Sequence, residues 1–202
     1  MIRHTLFMPL ALLLAACIFL TSACKKTEDD NSSNNSSTTL TEKRVTNLDA
    51  NGIGGHFAFY SLKDGSAVAL ADSATTKWDI GFRKTAIIVN AGTSGSGMGG
   101  AQVFSGIFSD VATAPTTGYN VDATTSYAIP TGSGNGWYTY ANMIISPTAG
   151  KVLLIKTADG KYAKAEILSY YKDAPATPDA NSVGRFYTFR YIYQPDGSTK
   201  LK

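Results

Sequence analysis

From about Val45 to Lys202 the apolar runs are short and stop at glycines, prolines or Asp-Gly pairs. This punctuation constrains the fold more than any other feature. No long stretch carries apolar residues at the three-to-four spacing a helix needs to bury a face. His56–Leu62 leads through Lys63-Asp64-Gly65-Ser66 into Ala67–Leu70, a strand, an Asp-Gly turn and a strand. Trp78–Arg83 alternates large apolar with small or charged residues, which predicts a strand with one buried face. Thr85–Asn90 is β-branched and apolar, fitting an inner strand. Lys151–Lys156 and Lys161–Tyr171 flank Ala158-Asp159-Gly160 as a hairpin. Arg185–Tyr193 places Tyr187, Phe189, Tyr191 and Tyr193 on one face, and Pro195-Asp196-Gly197 ends that run ahead of a short C-terminal strand. The expected fold is all-β, two packed and mostly antiparallel sheets with little helix, formed by one domain over residues 45–202.

The glycine run Gly92-Thr93-Ser94-Gly95-Ser96-Gly97-Met98-Gly99-Gly100 invites a phosphate-loop reading. It lacks the Gly-Lys-Ser/Thr ending and a following helix, so a nucleotide site is excluded on context. The expectation is instead a tight, close-packed loop between strands.

The N-terminus reads as an export signal. Arg3 and His4 precede an apolar run from Leu6 to Leu20, and Leu20-Thr21-Ser22-Ala23-Cys24 sets small residues before a cysteine. That order predicts a lipoprotein signal over residues 1–23, with Cys24 acylated. Leu14-Ala15-Ala16-Cys17 also fits, but Cys17 is followed by Ile18-Phe19-Leu20, whereas Cys24 is followed by the polar Lys25-Lys26-Thr27-Glu28-Asp29-Asp30. A plain signal peptide cut near Ala23 and an uncleaved anchor are the other readings. Residues 24–44 are expected to be an anchor and disordered linker, since Asn31–Thr39 has no apolar period with which to offset ordering entropy. A flexible spacer of about 15 residues spans about 20 Å on average.

Processing at Cys24 removes the chemistry of thiols, because Cys17 leaves with the signal and Cys24 is linked to lipid. His4 leaves too, so His56 is the remaining histidine. The formal net charge of +3 falls by one with Arg3, and no basic block offers an electrostatic footprint for nucleic acid. A Ser-His-Asp triad would depend on His56, without a nucleophile-elbow motif. Asp79 and Glu166 lie on expected strands and are the carboxylate pair to weigh for glycoside hydrolysis, although strand carboxylates usually face solvent. The reading is a binding protein and not an enzyme.

Several segments, in order, resemble the HmuY family of Bacteroidetes haem-binding surface lipoproteins. They are Trp78–Arg83, Asn90–Ala101, Gly136-Trp137-Tyr138-Thr139-Tyr140, Thr157–Lys164 and Tyr187-Thr188-Phe189-Arg190-Tyr191. Glu28-Asp29-Asp30 after Cys24 also resembles the signal that sends Bacteroidetes lipoproteins to the outer face of the outer membrane, or is a solvated linker. The resemblance implies two layered antiparallel sheets with a ligand held between loops at one end. It implies non-covalent haem capture at the cell surface and delivery to an outer-membrane transporter.

In the family two side chains grip the iron axially, histidines in some members and methionines in others. One lies just after the Gly-Trp segment, which implies Met143 here, in Tyr140-Ala141-Asn142-Met143. The other comes from a loop upstream of Gly136, yet Tyr119–Asn135 contains neither His nor Met. Tyr127 is able in principle to ligate ferric iron, His56 is a further donor, and Tyr138 and Tyr140 are candidates to stack on a porphyrin. Against these stand plainer roles: Met143 beside Ile144 and Ile145 as core filling, His56 as a strand-end residue, Met98 as part of the glycine loop, and the tyrosines as ordinary strand residues. No metal other than haem iron is expected. The competing reading is a cell-surface binding or interaction lipoprotein that keeps the fold without the axial ligands.

Overall fold

The computed structural model describes residues 39–202; the expected signal peptide, Cys17 and Cys24 lie outside the described residues. Eleven strands form: β1 (Lys43–Asp49), β2 (Ala58–Ser61), β3 (Ser66–Val68), β4 (Ile80–Arg83), β5 (Ala86–Val89), β6 (Gly100–Ser105), β7 (Tyr138–Ala141), β8 (Ile144–Pro147), β9 (Lys151–Lys156), β10 (Tyr162–Tyr171) and β11 (Gly184–Gln194). Three single 3-10 turns are the helical content of these residues. The chain is all-β. A five-stranded sheet in the order β1-β11-β10-β9-β6 packs on a four-stranded sheet in the order β3-β2-β4-β5, and β7-β8 form a separate hairpin. Every pairing between these strands is antiparallel. Strand β1 begins at Lys43, two residues inside the stretch expected to be linker.

The two-residue period of β11 explains the core. Tyr187, Phe189 and Tyr191 point to one face and are fully buried, while Tyr193 continues that face partly buried. Across the interface Tyr60 meets Phe189 edge-on at 5.5 Å, and Phe82 stacks on Phe189 at 5.3 Å. Ile80, Ile87 and Val89 of the smaller sheet join Leu153, Ile155, Ala163 and Ala165 of the larger one. Burying a side chain of this size contributes about 1.5–3 kcal/mol, which makes this layer the main source of stability.

Both sheets are covered on their outer faces as well, which alternation alone does not foretell. Val152 and Leu154 are roofed by Phe108, Val111, Ala114 and Leu201. Phe59, Trp78 and Ile88 form a third cluster on the back of the smaller sheet, so β4 is buried on both faces and not one. Beyond Gly197 the chain makes one bridge, Thr113 to Lys200, in place of the expected C-terminal strand.

The glycine run is the close-packed loop expected of it. Asn90 is wholly buried and organises it, donating to the carbonyls of Thr75 (2.9 Å) and Trp78 (2.8 Å) while its Oδ1 accepts from Gly97 N (3.0 Å). A Cβ at Gly95 would run into that same Asn90 side chain, and one at Gly92, which has φ +62°, into the Asp122 carbonyl.

Candidate functional site

The antiparallel register sets two ends of the domain apart. Lys43 lies across from Tyr191 and Asp49 across from Phe186, so the chain enters β1 at one end and reaches the segment 50–57 at the other. That second end gathers several sequence-predicted residues. Ala50 N donates to Arg185 O at 2.8 Å, Lys84 N to Ala50 O at 2.7 Å, and Tyr187 Oη to Lys84 O at 2.8 Å. Trp137 Nε1 donates to Thr85 O at 3.0 Å, which roots the β7-β8 hairpin at the β4-β5 turn. Ile145 N donates to Tyr171 Oη at 2.9 Å and anchors the other arm.

At the tip of that hairpin Ala141 pairs with Ile144, leaving Asn142 and Met143 as a two-residue turn. Both have positive φ, +50° and +64°, the signature of a type I′ turn that matches the twist of the flanking strands. Asn is at home in this region, but an unbranched side chain such as Met is disfavoured there by about 1 kcal/mol. Met143 is 72% exposed, so core filling does not describe it. Its thioether stands at the turn without a packing role of its own.

The other candidates divide. Tyr127 is half-buried, edge-on to Phe57 at 6.4 Å, and lines a cleft of about 320 Å³ with Gly52, Gly55, Arg83, Lys84 and Thr85. His56 is exposed and lines a neighbouring cleft of about 240 Å³ with Gly52, Ile53 and Phe57. It caps the 3-10 turn Ile53–Gly55 and precedes β2, and so does not head the strand as the sequence implied. Gly52 lines both clefts, and Arg83 lines the first, with its guanidinium 4.2 Å from the Phe57 ring centre and donating to Gly55 O. The structure therefore brings His56 and Tyr127 to adjoining clefts; Met143 is not among the residues that line either. Tyr140 is 55% exposed on the hairpin and free to stack. Tyr138 is buried in the main core against Trp137 at 4.9 Å, which leaves its ring no open face for a ligand.

The segment that carries Tyr127 is held by a buried carboxylate that the sequence did not single out. Asp122 is 1% exposed; its Oδ1 accepts from Ala128 N at 2.7 Å and its Oδ2 from Val89 N at 2.9 Å. It thus closes the Ala123–Ser126 turn and satisfies an outward-facing N–H of the edge strand β5.

The carboxylates weighed for catalysis are otherwise engaged. Asp79, expected on a solvated face, is 5% exposed and accepts from Leu62 N (2.7 Å) and Ala158 N (2.9 Å). Burial pushes its pKa up despite those two bonds. It straps the end of β2 to the β9-β10 turn. Glu166 pairs with Arg190 at 2.6 Å on the outer face of the larger sheet.

A further apolar cleft, about 820 Å³, lies between Phe104 of β6 and the segment from Ile107 to Pro115. Among the described residues its lining has no His, Met, Tyr or Cys and so offers haem iron no donor of those kinds. Behind it Lys164, 1% exposed, donates to Phe108 O (2.8 Å) and Val111 O (2.7 Å), and burial draws its pKa down. No sequence pattern marks Lys164 or Asp122, because their partners lie 53–56 and 6–33 residues away.

Comparison with known proteins places this geometry. No curated protein sequence matches the chain. The crystal structure of the apo HmuY analogue of Tannerella forsythia is similar in fold, with a TM-score of 0.51 at 17% identity over 77% of this chain and 96% of that one. Looser matches are a protein designated HmuY-like and haem-binding from Bacteroides vulgatus (TM-score 0.47, 20% identity, 78% and 93% of the two chains) and one designated a lipoprotein from Bacteroides fragilis (0.48, 15%, 77% and 91%). The family model described as HmuY protein matches residues 55–191, well over half of the sequence, and the chain belongs to the HmuY family.

Proposed function

We propose that this chain binds haem, or a related tetrapyrrole, non-covalently as a lipid-anchored protein of the outer membrane, and hands it to a transporter for uptake. The observation that carries this reading is Met143: an exposed thioether held at positive φ on a hairpin tip, where glycine would fit with less strain. A residue kept in a disfavoured conformation, without burial in return, fits a ligating role. Tyr140 beside it supplies an exposed ring for a porphyrin face. A second iron donor would come from the same end of the domain, where Tyr127 and His56 lie in adjoining clefts. The chain's own work is to bind and release, with no covalent step. Membership of the HmuY family supports the reading.

A haemin titration of the full chain in neutral detergent, followed by absorbance in oxidised and reduced states, tests it. The expected result is a saturable, stoichiometric Soret shift whose affinity falls at least ten-fold in Met143→Ala. A shift unchanged by that substitution keeps haem but moves the axial position to His56 or Tyr127. Absence of a saturable shift in both redox states refutes haem binding. The second reading is a surface binding module without haem; it is favoured by the lack of His and Met in residues 119–135.

A further inference from the structure

At the end of the domain where the chain enters β1, opposite the clefts of His56 and Tyr127, lies a cleft of about 280 Å³. Lys43, Lys63 and Lys161 line it, with Tyr193 and the hydroxyl residues Thr39 and Thr41. Among the described residues, no carboxylate lines it. Three elements supply the ammonium groups: the start of β1, the β2-β3 turn and the β9-β10 turn. The Tyr193 hydroxyl is buried and has no hydrogen-bond partner among the described residues. A buried donor left unpaired costs about 1–3 kcal/mol, so its retention calls for an acceptor.

The nearby carboxylates do not meet that need. Asp159 pairs with Lys161 at 3.6 Å and accepts from Thr157 Oγ1 at 2.6 Å. Asp64 accepts from Ser61 Oγ at 2.9 Å, and Asp79 is occupied by the N–H groups of Leu62 and Ala158. Burial, reinforced by Asp159, Asp79 and Asp64, pushes the Tyr193 phenol up to about 12, so it stays protonated and able to donate. Lys43 and Lys63 make no ion pair among the described residues.

We propose that this cleft is an anion site for a phosphate group, bound by the ammonium groups of Lys43, Lys63 and Lys161 and by the Tyr193 hydroxyl. A phosphate offers several strongly accepting oxygens and up to two negative charges, which suits three point-charge donors and a neutral hydroxyl better than a single carboxylate does. The phosphate belongs either to a lipid headgroup or to a free small molecule. Occupancy ties Thr39, Leu40, Thr41 and Lys43 to the body of the domain, because they form one wall of the cleft. The proposal is independent of the haem reading, since the two sites share no residue.

Calorimetric titration of the full chain in neutral detergent tests it in two arms. One arm adds inorganic phosphate against a chloride background; the other compares micelles doped with phosphatidylglycerol and with phosphatidylcholine. Saturable heat with inorganic phosphate assigns a free phosphate ligand, and heat confined to the phosphatidylglycerol micelles assigns a lipid headgroup. In either case affinity is expected to fall at least ten-fold in the triple variant Lys43→Gln, Lys63→Gln, Lys161→Gln and about five-fold in Tyr193→Phe. The lysines are surface groups and the phenyl ring of the Tyr193 variant keeps the packing, so both variants remain folded. No heat in either arm, or heat unaltered in both variants, overturns the proposal.

Discussion

Removing the Asp122 carboxylate tests whether the loop that carries Tyr127 hangs on that one side chain. The carboxylate accepts two backbone N–H groups, Ala128 at 2.7 Å and Val89 at 2.9 Å, in a site closed to solvent. Hydrogen bonds to a charged acceptor contribute about 1.5–3 kcal/mol each, and Asp122→Ala also leaves both donors buried and unpaired. Taking about 2 kcal/mol per donor, Asp122→Ala costs about 4 kcal/mol, a large part of the 5–15 kcal/mol typical of a domain. Asp122→Asn keeps one acceptor oxygen and turns an amide N–H₂ toward the other donor, so its cost is about half. At about 2–4 °C per kcal/mol for a domain of this size, the melting temperatures drop by about 8–16 °C and 4–8 °C. Calorimetry in the same buffer measures both. Amide hydrogen exchange adds a finer test: in Asp122→Asn only one of Val89 and Ala128 exchanges faster, while in Asp122→Ala both do. Equal melting temperatures for the two variants, or a loss under about 2 °C in Asp122→Ala, would refute the reasoning.

Three further outcomes are expected. Met143→Gly relieves the positive φ and raises stability by about 1 kcal/mol, seen as a higher urea midpoint, while lowering haemin affinity at least ten-fold; a destabilised variant contradicts the strain argument. Gly134→Ala, at φ +82° with open space around it, costs about 1 kcal/mol, whereas Gly92→Ala adds a clash with the Asp122 carbonyl and costs at least about 2 kcal/mol more; equal losses by thermal melting sink the packing account. Burial raises the pKa of Asp79, so the folded chain takes up that proton before the unfolded chain does, and the stabilisation from protonation is lost as pH rises through the folded pKa. The stability of the natural chain relative to Asp79→Asn therefore improves from pH 7 to pH 4 in paired denaturant titrations, and a gap that moves the other way rejects the assignment.

The strands that read best in the sequence are those whose neighbours are close along the chain. The β9-β10 hairpin declares itself through Ala158-Asp159-Gly160, and the aromatic face of β11 through alternate residues. The burial of β4 on both faces was hidden, because the residues that cover its back, Phe57, Val68 and Tyr127, come from three separate segments. Asp79 illustrates the same limit: its alternation points to solvent, and the N–H groups of Leu62 and the distant Ala158 explain why it is inside. Met143 was misleading for a local reason. The neighbours Ile144 and Ile145 suggested core, while the informative residue was Asn142, which favours the first position of a type I′ turn and sends the next side chain outward.

The attachment of β1 has a mechanical side. Its ladder to β11 pairs Lys43–Val45, then breaks at a bulge around Asn47 (φ +55°), and resumes at Leu48 and Asp49. Tension reaching Lys43 along the strand axis loads each of these short ladders in shear, so their bonds share the force. Tension drawn sideways peels the first three pairs in turn and meets the bulge, where the ladder is already interrupted. A pull of the second kind strips Lys43 from the lysine-lined cleft while the aromatic core keeps its packing, so the first mechanical event at this end is a loss of grip and not a loss of fold.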